Sequence, residues 1–208
     1  MKLIGSNTSP YVRKARLVLL EKNIQHTYLV DPPSDPKSEV YRVNPLGRIP
    51  ALILDDGTCI FDSPVIAEYA DTLNESPILI PRNDVLARMR VKRWEALADG
   101  IMDSAIVVRN EVLRPKETQL TATLELHNGA ITRTLEHIAR QLGKREWCEG
   151  NSITLGDLAL LSALAYLDLR QTERNWRRVH PDLATWFKSV SARPAAQRYA
   201  AWHWCRGR

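Results

Sequence analysis

The hydrophobic pattern of this chain changes character once, at residues 76–84, and that change limits the possible folds more than any other feature. The stretch holds Pro77, Pro81 and Asn83, so no helix or strand runs through it. Before it, apolar runs are short and separated by turn residues. After it, residues 85–142 read almost throughout as helix, rich in Ala, Leu, Arg and Glu, with one break at Arg114-Pro115. The chain therefore reads as two domains, residues 1–77 and 85–208, with a linker at 78–84.

Within the first domain the pattern predicts a strand at residues 2–5, then a helix. Ser9 is a good N-cap, Pro10 suits the first helical position, and Val12, Ala15, Leu19 and Leu20 recur at helical spacing as far as Lys22. A second strand follows at residues 27–30, then a turn-rich stretch with Pro32, Pro33 and Pro36. Tyr41-Arg42-Val43 leads into Asn44-Pro45-Leu46-Gly47-Arg48-Ile49-Pro50. Strands at residues 51–54 and 59–61 flank Asp55-Asp56-Gly57-Thr58, a hairpin signal. Ser63-Pro64 opens another helix with an apolar stripe of Ile66, Tyr69, Ala70 and Leu73. A β-α-β start needs a parallel pair with a crossover helix, and the hairpin adds an antiparallel edge. In the second domain, residues 154–169 form a strongly apolar helix at the centre, with shorter helices at 181–191 and 194–202.

Hydrophobic residues make up 44% and charged residues 25%, enough for a real core. The longest apolar runs, at residues 17–20 and 158–161, are too short to span a bilayer, and the first residues lack a secretory h-region, so a cytoplasmic protein with no membrane partner is expected. Cys59, Cys148 and Cys205 show no CxxC and no metal-like spacing, so no metal is expected. Cys59 reads as a buried strand residue rather than a reactive thiol. The formal charge is +5, and Arg170, Arg174, Arg177 and Arg178 cluster at what reads as a solvated helix end. No basic patch is interleaved with stacking aromatics, which argues against nucleic acid.

Several short segments carry chemistry. A hydroxyl at a helix N-terminus, as at Ser9, lies beside unpaired N–H groups and the positive end of the dipole, an environment that favours a thiolate. Lowering a thiol pKa from about 8.5 by about two units needs roughly 2.7 kcal/mol. Ile49 precedes Pro50 and is pushed to extended geometry. A cis Pro50 would turn the Ile49 peptide group outward for a peptide-like ligand. Asp62 and Ser63 meet a fresh helix N-terminus, where an ammonium would suit Asp62 and a carboxylate would suit Ser63. Taken singly, these are also plain caps and a trans proline opening a strand. Thr154 and Asp157 have capping-box spacing, with Ile153 and Leu158 as a staple, and are given a folding role.

In this order and register, the segments resemble the glutathione transferase superfamily. The resemblance rests on Ser-Pro-Tyr-Val-Arg-Lys from Ser9, Asn-Pro-Leu-Gly-Arg-Ile-Pro from Asn44, Phe-Asp-Ser-Pro from Phe61 and Leu79-Ile80-Pro81. It extends to the Thr154/Asp157 box, His-Pro-Asp-Leu-Ala-Thr-Trp from His180, and Ala-Arg-Pro-Ala from Ala192. Residues 9–14 and 95–103 are most similar to the bacterial YibF-type proteins. The resemblance implies an α/β thioredoxin-like N-terminal domain, an all-α C-terminal domain, a cis Pro50 and a homodimer. It implies glutathione as co-substrate, with its cysteinyl part on the Ile49 backbone beside Pro50, its γ-glutamyl end on Asp62 and Ser63, and its glycyl carboxylate toward Arg48. Ser9 matches the position of the catalytic hydroxyl or cysteine in the family, although Ser6 and Thr8 also carry hydroxyls. Position 9 is not cysteine, so no mixed disulfide forms there, and conjugation to a small electrophile is favoured over thiol transfer. The electrophile is expected between the domains, against Trp94, Leu97, Ala98, Ile101 and Met102, with Tyr11 opposite, although the same spacings also describe an ordinary helical core. The same site could serve an isomerase, dehalogenase or peroxidase, or the fold could act as a non-catalytic binding or regulatory protein.

Overall fold

A computed structural model describes the backbone of residues 1–203 and the side chains through Tyr199; Cys205 lies outside the described residues. The chain forms two compact units, one of Met1–Ile80 with the segment from Ala192 onward, the other Pro81–Ser191.

The first unit contains β1 (Lys2–Gly5), α1 (Pro10–Glu21), β2 (Thr27–Val30), α2 (Val40–Val43), β3 (Ala51–Ile53), β4 (Cys59–Ile60) and α3 (Ser63–Thr72). The sheet order is β2-β1-β3-β4. β1 and β2 are parallel, from Lys2 opposite Thr27 to Gly5 opposite Val30, with α1 as their crossover. β3 runs antiparallel to β1, with Ala51 opposite Ile4. β4 returns antiparallel to β3, with Ile60 opposite Leu52. Buried Ile4, Val40 and Ala51 form a core against which Leu29, Val43, Ile49, Ile53 and Cys59 pack. Cys59 lies in β4 as expected but is half-buried rather than buried; partial burial pushes its thiol up, away from the thiolate.

α1 buries Val12, Ala15 and Leu19 as its spacing predicts, but it also buries Arg13, Lys14 and Arg16. Just beyond α1, Lys22 is wholly buried. Its Nζ donates to Asp71 Oδ1 at 3.1 Å and to the carbonyls of Asn74 and Pro77 at 2.9 and 2.7 Å. Asp71 also accepts from the N–H groups of Leu79 and Ile80, at 2.8 and 3.2 Å. One buried ion pair thus fastens α1 to the end of α3 and to the segment that leaves the unit.

The second unit holds α4 (Val85–Val112), α5 (Thr121–Leu142), α6 (Leu155–Arg170), α7 (Trp176–Val179) and α8 (Pro181–Ser191). The break expected at Arg114-Pro115 is occupied by a 3-10 turn, Lys116–Thr118. α6 is buried on every side through Leu167. It approaches α4 closely at Gly156, where a Cβ would lie 2.7 Å from that of Trp94. Its capping box is formed as expected: Asp157 Oδ2 accepts from the Thr154 N–H and hydroxyl at 2.8 and 2.7 Å, and Oδ1 accepts from Cys148 N at 2.7 Å.

Two expectations change. The arginine cluster is solvated only in part: Arg177 and Arg178 are exposed, but Arg177 also pairs with Asp168 and stacks on Trp176 and Phe187, while half-buried Arg174 bonds Asn128, Thr132 and Gln171. The short α7 carries Arg177 and Arg178, and its four residues are too few to display a helical period in the sequence. The last helix, α9 (Pro194–His203), was counted with residues 85–208 but belongs to the first unit. Arg193, just before it, pairs with Glu21 of α1, and Arg198 donates to the Leu20 carbonyl at 2.8 Å and to Asn23 at 3.1 Å. Among the described residues no helix is long and apolar enough to cross a membrane.

Candidate functional site

Strand register brings the sequence-predicted residues of the first unit to one edge of the sheet. β1 ends at Gly5, and the chain turns through Ser6 to the α1 N-cap at Ser9. Because Ala51 lies opposite Ile4, Ile49 and Pro50 enter β3 at that same edge. Because Ile60 lies opposite Leu52, β4 delivers Asp62 and Ser63 there too. Adjacent strands are about 4.8 Å apart, so β1 to β4 spans about 10 Å. A tripeptide extended across the edge covers roughly the same length.

Ser9 is the N-cap of α1, in extended geometry, and its Oγ accepts from Val12 N at 3.3 Å. Accepting through oxygen leaves the hydroxyl proton able to donate. The Ile49–Pro50 peptide bond is cis, as the resemblance implies. Among the described residues neither the N–H nor the C=O of Ile49 has a hydrogen-bond partner. Asp62 caps α3, accepting from Ser63 N. Ser63 is 1% exposed, and among the described residues its buried hydroxyl has no partner. A buried polar group costs stability when it makes no hydrogen bond, so this hydroxyl is a candidate partner for a polar ligand atom. The Arg48 side chain is exposed, next to Ile49.

Sequence reasoning quoted Asn44 but gave it no role. It is buried, and its side chain shapes the turn that presents Ile49: Nδ2 donates to the Arg48 carbonyl at 2.8 Å, and Oδ1 accepts from Leu46 N at 2.9 Å. Gly47 follows with φ +59°, and a Cβ there would lie 2.7 Å from the Tyr41 ring. The Asn-Pro-x-Gly order was a turn signal that could have exposed this role. Asn44→Ala should lower affinity for a ligand bound at Ile49 about tenfold, measured by calorimetric titration, because the loop loses both side-chain bonds.

The residues expected to meet a second substrate are distributed differently. Trp94 is 2% exposed and packs on Gly156 of α6, and Met102 is fully buried. Tyr11, two residues past Ser9, is half-buried. Among the described residues no cluster of His, Cys, Asp and Glu could hold a metal ion.

Comparison with known proteins agrees with this geometry. Family models described as the glutathione S-transferase N-terminal and C-terminal domains match residues 8–73 and 121–189. YibF of Escherichia coli, an uncharacterized GST-like protein, is 36% identical over 198 residues, which is 95% of this chain and 97% of YibF. A glutathione S-transferase of Methylobacillus flagellatus, solved with glutathione bound, superposes with a TM-score of 0.92 at 40% identity, covering 95% of this chain and 98% of that one. A glutathione transferase family member from Pseudomonas fluorescens Pf-5, solved with S-(propanoic acid)-glutathione, gives 0.83 at 34% identity, covering 96% and 98%. In sequence and in the architecture of both units, the chain belongs to the glutathione S-transferase family.

Proposed function

We propose that the protein binds glutathione along the β1-β3-β4 edge and transfers it to a small electrophile. The observation that carries this reading is the convergence at that edge of an unengaged Ile49 peptide group and a buried, unpartnered Ser63 hydroxyl. Ile49 would pair with the cysteinyl backbone, as an added strand does. Ser63 and the α3 N-terminus would hold the γ-glutamyl carboxylate, and Asp62 the ammonium group. Arg48 has an exposed charge for the glycyl carboxylate. Ser9 would donate its hydroxyl proton to the sulfur and favour the thiolate, which attacks an electrophilic carbon; a bond forms from sulfur to carbon as the leaving group departs with its electron pair. Tyr11 is the side chain with accessible surface near that sulfur. The thioether ligand of the Pseudomonas relative supports conjugation as the reaction class.

The test is calorimetric glutathione binding together with turnover of a generic aryl halide. Wild type should bind and turn over, and Asp62→Ala should bind glutathione at least tenfold more weakly. Wild-type binding without turnover would leave a binding protein in place of a transferase. Unchanged affinity in Asp62→Ala would put the amino-acid head elsewhere.

A homodimer is part of the proposal. Val85, Leu86 and Met89, at the start of α4, are 81%, 62% and 48% exposed and form an apolar stripe that a second copy would cover. Light scattering should find a dimer, and Leu86→Glu should shift it to monomer. Unbridged thiols at Cys59 and Cys148 support a reducing, cytoplasmic setting.

A further inference from the structure

We infer that Arg13 is an electrostatic support for the Ser9 site, a buried cation one helical turn from the cap that stabilises the thiolate held there. The inference rests on the proposed glutathione chemistry.

Ser9, Arg13 and Arg16 stand at i, i+4 and i+7, along one face of α1. Helix side chains lean toward the N-terminus, so the Arg13 stem is carried toward Ser9. Arg13 is 7% exposed, and among the described residues its Nε and Nη1 have no hydrogen-bond partner. It stacks on an aromatic ring: the guanidinium carbon lies 5.3 Å from the centre of the Tyr199 ring. Burying an arginine this way is costly, and nearly every buried guanidinium finds a carboxylate.

Further cations stand on the same helix and on α9. Lys14 is wholly buried on the same helix. Arg16 stacks 4.0 Å from the Tyr28 ring of β2 and 5.2 Å from Tyr199 of α9. Burial pushes the Tyr28 phenol up to about 12, so it supplies no anion at neutral pH. The Glu21 carboxylate, on the last turn of α1, is taken by Arg193. Arg198 adds a further cation from α9. A charge held in partly desolvated surroundings acts over longer distances than one in water. A thiolate at the α1 N-terminus, whose proton leaves to water, is an anion this arrangement could serve.

The test is ultraviolet titration of the thiolate of bound glutathione, at saturating glutathione, in wild type, Arg13→Met and Arg13→Lys. Arg13→Met should raise the bound thiol pKa by about one unit, which is about tenfold less thiolate below both pKa values, and Arg13→Lys should restore most of the shift. A folded, glutathione-binding Arg13→Met with the wild-type pKa would overturn the inference. So would a lysine variant that behaves like methionine, since that pattern belongs to packing. If Arg13→Met does not fold, Tyr199→Leu keeps the charge but opens it to water and should raise the pKa by a smaller amount; no rise would count against the inference. A wild-type thiol that titrates like free glutathione would overturn the thiolate reading itself, and this inference with it.

Discussion

Replacing Ser9 with alanine is expected to lower conjugation turnover about 100-fold while glutathione affinity stays within about threefold. The hydroxyl accepts from Val12 N, and its proton remains able to donate. A single donor aimed at developing or settled negative charge is worth about 100-fold or more in rate when removed. Affinity should hold because Ile49, Asp62 and Ser63 lie along other parts of the sheet edge. The variant also loses a helix cap, at a cost of about 1 kcal/mol, and the melting temperature should fall slightly. Ser9→Thr separates the effects, since threonine keeps both the cap and a donor. Full activity in Ser9→Ala, measured as kcat/KM with an aryl halide, would remove Ser9 from the mechanism and direct attention to Ser6 or Thr8.

The largest stability effect is expected at Lys22. Lys22→Met should cost about 3–5 kcal/mol, because it takes the Lys22 ammonium away from the buried Asp71 carboxylate and from the carbonyls of Asn74 and Pro77. For a chain of this size that is a fall of roughly 10 °C in melting temperature. Methionine has similar length and stays apolar, so the loss reports the interaction rather than a cavity. Adding Asp71→Asn should recover part of the loss, but not all. An amide oxygen can accept from Leu79 N or Ile80 N, whereas the carboxylate serves both with separate oxygens. A wild-type melting curve for Lys22→Met would show that the pair is energetically neutral.

Local patterning revealed much of the fold. The strands at residues 2–5 and 27–30 appear as read, and the Asp56-Gly57 hairpin and the caps at Ser9 and Thr154 are where their residue types put them. Their signals lie within a few residues of one another. What escaped depends on partners far apart in sequence. α2 and α7 have too few residues for a period. Arg13 and Arg16 look like ordinary surface residues until Tyr28 and Tyr199 arrive from other elements. For the site, the motifs at Ile49-Pro50 and Asp62-Ser63 were legible, but their alignment on one edge follows from β3 and β4 register. The orphaned state of the Ser63 hydroxyl is a property of three-dimensional packing and leaves no trace in the sequence.

The return of α9 to the first unit changes what counts as a separable piece of this protein. Residues 81–191 are, topologically, an insertion between two parts of the unit that carries Ser9. During synthesis the chain must therefore lay down the entire helical unit before Arg193 and Arg198 can reach Glu21, Leu20 and Asn23. A fragment cut at the linker would contain every residue of the sheet edge and still lack the helix that braces α1. Bringing the two segments of the first unit together requires a bridge that replaces the helical insert, so a circular permutant opened within residues 81–191 would preserve what a simple truncation destroys.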